Sequence, residues 1–206
     1  MTGYLRTART SRSLLVLLVP LGLLTLTACG STGSGNLITE TRDVGSFTRI
    51  DAGGGVNIDL TVDPNASQSV SVTYDDNLLD NVVTRVDGDT LIVELEGAFL
   101  VTGSGRFVAV VTDFIDGIEA SGGSDLTGNG VIESYQLRAS GGSDVDLRDL
   151  KASSVEIDAS GGTDVQVFAS ESITGTASGG SNVEVSGSPA TVNVDQSGGA
   201  DFTIRN

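Results

Sequence analysis

The chain has 206 residues, 28 of them glycine, with 27 acidic and 11 basic side chains and a formal net charge of −16. This charge makes nucleic acid and anionic lipid headgroups poor partners. The absence of histidine excludes Ser-His catalysis, and a single cysteine excludes an internal disulfide.

The first 28 residues have the pattern of a secretory signal peptide. They contain three arginines and no acidic residue, and an apolar run over residues 14–24 is too short to span a membrane as a helix. Residues 26–29, Leu-Thr-Ala-Cys, resemble a bacterial lipobox and contain the one cysteine of the chain. We therefore predict a lipoprotein signal peptide over residues 1–28 and an S-diacylglycerol group on Cys29, with N-acylation as a further modification.

Lipidation at Cys29 predicts an exported protein that is anchored to the cell membrane, or to the outer membrane if the organism has two. Removal of residues 1–28 takes the formal net charge from −16 to −19. Two acyl chains can hold the protein against this charge, since each buried methylene contributes about 0.8 kcal/mol. The Gly- and Ser-rich residues 29–36 are predicted to form a flexible tether, followed by a single domain over residues 37–206.

Short strands and tight turns are predicted for the first half of this domain. Asp87-Gly88 stands between two alternating runs, which is typical of a β-hairpin. Residues 76–80 are the one candidate for a helical turn. We expect a less regular N-terminal part, and an antiparallel sandwich remains open as an alternative.

The second half contains a six-residue segment in five copies, of the pattern x-Ser-Gly-Gly-small-Asp/Asn, where x is Ala in four copies and Gln196 in the fifth. The serines are 19, 20, 18 and 19 residues apart: Ser121, Ser140, Ser160, Ser178 and Ser197. Apolar and polar residues alternate before and after each copy, as in strands with one buried face. Units of about 19 residues that cannot bury this face alone predict a parallel β-helix, an all-β solenoid with glycines at the corners.

Three stretches, in this order, resemble the head GIN domain family, also described as autotransporter adhesin. They are residues 44–50, then residues 76–80 followed by 86–93, and finally the Ala-Ser-Gly-Gly-Ser-Asp units, and the resemblance covers about residues 40–206. It implies a right-handed parallel β-helix in a cell-envelope protein that is frequently a lipoprotein. It supplies no catalytic residues, and none is assigned here.

The last position of the repeat forms a column of acidic and amide side chains: Asp125, Asp144, Asp164, Asn182 and Asp201. Carboxylates stacked about 5 Å apart repel by roughly 0.8 kcal/mol in water and about 3 kcal/mol at an effective dielectric of 20. Solvated turn residues that accept a backbone N–H are the favoured interpretation. The alternative is calcium, with Asp125, Asp144, Asp164 and Asp201 as candidate ligands. No metal or cofactor is assigned.

The sequence favours a non-enzymatic surface or periplasmic module that presents a Ser/Thr/Asp face to an unknown protein or glycan. Calcium-dependent recognition through the Asp column is the second hypothesis. A polysaccharide-active β-helix enzyme is the third, and it would need a groove containing Arg106, Arg138 or Lys151. Because the end of a β-helix is an open sheet edge, the last coil also allows self-association.

Overall fold

The computed structural model describes residues 31–97, 99–100 and 104–205, so Cys29 and the predicted signal peptide lie outside the described residues. Within these ranges the chain forms sixteen β-strands and one 3₁₀ turn, Leu79–Asn81. The prediction of an all-β protein is therefore confirmed. No helix in the described part of the chain has the length and apolar character needed to cross a membrane.

The strands are numbered in chain order. The N-terminal half contains β1 (Ser31–Thr32), β2 (Leu37–Arg42), β3 (Arg49–Gly53), β4 (Asn57–Val62), β5 (Ser69–Asp75), β6 (Val82–Asp87), β7 (Thr90–Leu95), β8 (Phe99–Leu100) and β9 (Phe107–Thr112). The repeat region contains β10 (Gly117–Ala120), β11 (Asp125–Ala139), β12 (Asp144–Ala159), β13 (Asp164–Ala177), β14 (Asn182–Ser186), β15 (Thr191–Gln196) and β16 (Asp201–Arg205).

The repeat region is a parallel stack in which β3, β10, β11, β12, β13, β14 and β16 are successive neighbours. Partners from one repeat to the next are 17 to 20 residues apart, close to the spacing of the repeat; Asp144 pairs with Asp125 and with Asp164. The short strands expected before and after each corner are joined in β11, β12 and β13 into continuous strands of 14 to 16 residues. These long strands contain register shifts, for example between Leu147 and Lys151.

The N-terminal half has mixed strand orientation. β5 pairs antiparallel with both β2 and β9, whereas β4 and β9 are parallel. β6 and β7 form the hairpin predicted at Asp87-Gly88, with Gly88 at a φ of 64°. The domain is therefore all-β with mixed orientation, and its antiparallel pairs are confined to the less regular N-terminal half.

The core consists of ladders of like residues, to which each neighbouring strand contributes one residue. Alanines at the corner form one ladder, each at most 1% exposed: Ala52, Ala120, Ala139, Ala159 and Ala177. Leu126, Val145, Val165 and Val183 form a second ladder that is equally buried. Burial of a Val or Leu side chain contributes about 1.5–3 kcal/mol, so the ladders supply stability that no single coil could provide.

Successive corners lie close together at the first glycine of each Gly-Gly pair. These glycines have φ angles between +63° and +82°, and a Cβ atom added to any of them would lie 2.9–3.2 Å from the backbone of the preceding coil: Gly122, Gly141, Gly161, Gly179 and Gly198. The second glycine is less restricted. Gly162 lies outside the left-handed region, and an added Cβ would have no neighbour within 4 Å.

The two adjacent glycines of the third copy therefore give a matched test of the stack. We expect Gly161→Ala to lower the free energy of unfolding by about 1–3 kcal/mol, because it combines left-handed strain with crowding of the Gly141 backbone. We expect Gly162→Ala to be neutral or to stabilise the protein by less than about 1 kcal/mol. Urea denaturation followed by circular dichroism measures both, and equal losses would contradict the proposed role of the first glycine.

Candidate functional site

The predicted Asp column is present as a row of exposed side chains at the first residue of five strands. The parallel register aligns Asp125, Asp144, Asp164, Asn182 and Asp201. Asn57, at the start of β4, pairs with Asp125 and adds a sixth rung that the sequence analysis missed. Its corner, residues 53–55, is Gly-Gly-Gly without the serine, although Ala52 and Asn57 at its ends match the repeat.

In the first two copies of the repeat, the corner is closed by the residue before the Asp. Ser124 Oγ donates to the carbonyl of Ser121 at 2.8 Å, and Ser143 Oγ donates to the carbonyl of Ser140 at 2.9 Å. In the described part of the chain, none of the column carboxylates accepts a backbone N–H. In these two copies a buried hydroxyl, rather than the Asp side chain, therefore closes the turn.

The column carboxylates are electrostatically unfavourable neighbours. Partial burial raises the pKa of Asp144 above its ordinary value of 3.8, and the charges of Asp125 and Asp164 raise it further. Among the residues that the structure describes, no three Asp, Glu, His or Cys side chains are grouped so that they could hold a metal ion. The geometry shows a solvated column in which like charges repel.

A polar groove of about 440 Å³ crosses the outward face of β11, β12 and β13. Its walls are two rows of outward side chains in parallel register: Ser134, Ser154 and Ser172 in one row, and Gln136, Glu156 and Thr174 in the other. Ser172 Oγ donates to Ser154 Oγ at 2.9 Å, and Gln136 Nε2 donates to Glu156 Oε2 at 3.0 Å. The rows form because every second side chain of a strand points outward and the repeat places like residues side by side.

One end of this polar groove is formed by Phe114 and an ion pair. Phe114 lies in the loop between β9 and β10 and is 48% exposed. Arg49 Nη1 donates to Asp116 Oδ1 at 3.2 Å, and Gly117 leaves the room that the Arg49 guanidinium occupies, since a Cβ there would collide with it. The groove thus combines an exposed aromatic face with hydroxyl, amide, carboxylate and guanidinium groups.

Neither Phe114 nor Arg49 was predicted from the sequence to be a site residue. The available signal was a large aromatic side chain in residues 113–116, a short loop that also contains two aspartates. The serines of the groove were visible as outward positions, but which of them share a row depends on a register that the sequence fixes only approximately.

The three basic residues considered for an enzymatic groove lie in separate places. Arg106 is 7% exposed and forms a buried ion pair with Asp75, with Arg106 Nη2 donating to Asp75 Oδ1 at 2.9 Å. Arg138 pairs in register with Asp158 on the outward face. Lys151 Nζ lies 4.4 Å from the centre of the Phe168 ring. None of these three residues lines the polar groove.

Comparisons with known proteins identify relatives of the fold. A family model described as "Putative auto-transporter adhesin, head GIN domain" matches residues 46–138 and 100–189. A crystal structure of "a putative adhesin" from Bacteroides fragilis NCTC 9343 is 19% identical with a TM-score of 0.51, covering 85% of this chain and 100% of its own. No curated protein matches the sequence.

Two further crystal structures are similar at lower TM-scores. A "putative adhesin" from Parabacteroides merdae ATCC 43184 is 14% identical with a TM-score of 0.41, covering 86% of this chain and 99% of its own. A "putative lipid binding protein" from Parabacteroides distasonis ATCC 8503 is 15% identical with a TM-score of 0.40, covering 84% of this chain and 98% of its own.

Removal of one charge from the Asp column should stabilise the domain. Because the folded-state pKa of Asp144 is raised, its ionised form costs stability as the pH rises through that pKa. We expect Asp144→Asn to raise the free energy of unfolding at pH 7 by up to about 1 kcal/mol, since the carboxylate is exposed and screened. The gain should vanish well below pH 3.8, where the carboxyl group is protonated in both states.

The control is Asp195→Asn, at an exposed position whose register partner is Thr176 rather than a carboxylate, and we expect it to be neutral. Thermal unfolding in calcium chloride and in EDTA separates repulsion from metal binding. For the protein without substitutions, we expect the same midpoint of thermal unfolding in calcium chloride and in EDTA. A higher midpoint in calcium that Asp144→Asn abolishes would support the calcium site.

Proposed function

Because the chain belongs to the family described as "Putative auto-transporter adhesin, head GIN domain", we propose that it is a non-enzymatic, adhesion-type module of the cell envelope. The lipobox-like residues 26–29 support anchoring by a diacylglycerol on Cys29. The absence of histidine and the separation of Arg106, Arg138 and Lys151 speak against a catalytic centre of the polysaccharide-cleaving kind.

The polar groove is the observation that carries this proposal, and it favours a glycan as the ligand. A sugar ring has apolar C–H faces that pack on an aromatic side chain, and Phe114 offers such a surface with 48% exposure. Around it, the row of three serines, together with Gln136 and Glu156, supplies hydrogen-bond donors and acceptors for the hydroxyl groups of a sugar. The net charge of −16 favours a neutral or basic glycan over an acidic one.

We also propose that the parallel part of the domain winds as a right-handed β-helix of about 19 residues per coil. Its support is the similar spacing of the parallel partners, for example 19 residues from Asp125 to Asp144 and 20 from Asp144 to Asp164. Crossover connections between parallel strands of one sheet are almost always right-handed. A right-handed coil would also place all corners on one edge of the stack.

Self-association through the last coil is a second candidate. Val192 and Ile204, in β15 and β16, are 43% and 38% exposed. Ile173 is a register partner of Val192 and Val185 is the partner of Ile204, and both partners are fully buried. A second copy that covers this edge would bury the exposed pair. Sedimentation at increasing concentration tests this, and Ile204→Lys should abolish any dimer that forms there.

Binding to an array of immobilised neutral and acidic glycans tests the groove. We expect binding to neutral glycans, and we expect Phe114→Ala to weaken it at least about tenfold, which corresponds to roughly 1.4 kcal/mol. Val131→Ala removes another exposed apolar side chain, 69% exposed and outside the groove, and should leave the affinity unchanged. Equal affinities for both variants, or no bound glycan at all, would contradict a glycan-binding groove.

A further inference from the structure

Residues 31–36, expected to form a free tether, are hydrogen-bonded to the three residues 75–77 at the end of β5. Ser34 N donates to Asn77 Oδ1 at 2.9 Å, and Ser34 Oγ donates to Asp76 Oδ1 at 2.6 Å. Asn36 Nδ2 donates to Asp76 Oδ2 at 2.9 Å. We refer to residues 31–36 together with residues 75–77 as the N-terminal clip.

Backbone groups complete the N-terminal clip. Gly35 N donates to Asp75 Oδ1 at 2.7 Å, and Asn77 Nδ2 donates to the carbonyl of Thr32 at 2.9 Å. Asp76 N in turn donates to the carbonyl of Asn36 at 3.0 Å. Segments that lack such bonds open at almost no cost in free energy, whereas this segment has to break several bonds at once.

The N-terminal clip is attached to the interior of the domain through Asp75. This side chain is fully buried, and its carboxylate is shared between Gly35 N and the guanidinium of Arg106. The hydrogen bond from Arg106 lowers the pKa of Asp75 to about 2, so it remains an ionised acceptor at neutral pH. Gly33 passes directly over it, since a Cβ on Gly33 would lie 2.6 Å from Asp75 Oδ1.

The chain between the N-terminal clip and the predicted lipid is very short. β1 pairs with β8, Ser31 with Phe99 and Thr32 with Leu100, and Gly33 N donates to the carbonyl of Leu100 at 3.1 Å. Gly30 alone separates Ser31 from Cys29. Two residues span at most about 7 Å, so an acyl group on Cys29 would begin within that distance of β1.

We propose that the N-terminal clip holds the β1–β8 side of the domain against the surface of a lipid bilayer, in one orientation. The proposal rests on lipidation at Cys29 as part of the proposed function. With about 7 Å of chain, the domain cannot move away from the headgroups while the clip is closed. Leu100 is 64% exposed in β8, and Leu37, directly after the clip, is 37% exposed, so apolar side chains flank the point where the lipid begins.

The last coil would then lie away from the lipid. β2 and β5 are at one end of the strand order, and β15 and β16 are at the other. Since neighbouring strands are spaced by about 4.8 Å, Val192 in β15 is separated from β5 by several such layers. A label at this position and a label at Leu100 should therefore report different distances from the bilayer.

The experiment uses the lipidated full chain in phosphatidylcholine vesicles that carry a nitroxide on the headgroup. Because Cys29 is the one natural cysteine and would be acylated, Leu100→Cys or Val192→Cys supplies a single free thiol for a fluorophore. We expect strong quenching of the label at position 100 and weak quenching at position 192. Equal quenching at both positions in vesicle-bound protein would overturn the proposal.

The clip is then opened with the pair of substitutions Asp76→Ala and Asn77→Ala, and Asp80→Ala is the matched control. Asp80 is an exposed acidic residue of the neighbouring 3₁₀ turn and forms no hydrogen bond with residues 31–36 among those described. We expect the double variant, and not the control, to lose the difference in quenching between the two labels. An unchanged difference in a double variant whose far-UV circular dichroism matches the parent would also overturn the proposal.

Hydrogen exchange at Ser34 and Gly35 gives an independent measurement. Both amides should be protected in the parent and in Asp80→Ala, and they should exchange freely in the double variant. Free exchange in the parent would overturn the proposal that the N-terminal clip is closed. Failure of the lipid anchor gives a different result. Mass spectrometry would then find no acyl group on Cys29, and the protein would not float with vesicles, whatever the exchange of the clip amides.

Discussion

The close approach of one corner to the next, at the first glycine of each Gly-Gly pair, is a constraint that recurs through the whole repeat region. Corner backbone bonds accompany it: Ser140 N donates to the Ala120 carbonyl at 2.9 Å, and Ser160 N donates to the Ala139 carbonyl at 2.9 Å. These contacts fix the register of the strands that follow. Because side chains alternate with a period of two, a slip of one residue would expose every core ladder at once.

This fixed register places like residues next to each other, with opposite consequences on different faces. Inside, alanines and valines stack into a closely packed core. Outside, the same alignment brings Asp125, Asp144 and Asp164 together, where partial burial and then the repulsion between their charges raise the pKa of the middle carboxyl group. On the face of β11–β13 it lines up serines that hydrogen-bond one another, as Ser172 does with Ser154. The polar groove is thus a product of the repeat, except for the end that Phe114 and Arg49 provide.

The repeat region and the β6–β7 hairpin were predictable because their signals are local: the spacing of the serines, the alternation around them, and Asp-Gly at the hairpin turn. The rest depends on contacts between distant residues that carry no local mark. The Gly53–Gly55 corner pairs with the Gly122 corner across an insertion that contains β5 to β9. The Ser/Gly-rich residues 31–36 have the composition of a linker, and their order comes from residues 75–77, some forty residues later, and from pairing with β8. The antiparallel pairing of β5 likewise has no periodic signature.

The buried pair of Asp75 and Arg106 connects the N-terminal clip to the interior, and its energetics explain why the two would act together. Removing two charges from water has a cost in free energy. Their mutual attraction offsets this cost only when further hydrogen bonds satisfy both groups. Gly35 N supplies one such bond to Asp75, so release of residues 31–36 would leave a buried carboxylate short of a donor. The pKa of Asp75 is lowered from 3.8 to about 2. The stability that its ionised carboxylate contributes is therefore fully present above about pH 4 and is lost as the pH falls towards 2. At neutral and mildly acidic pH, the segment that leads to Cys29 and the core of the domain therefore stabilise each other.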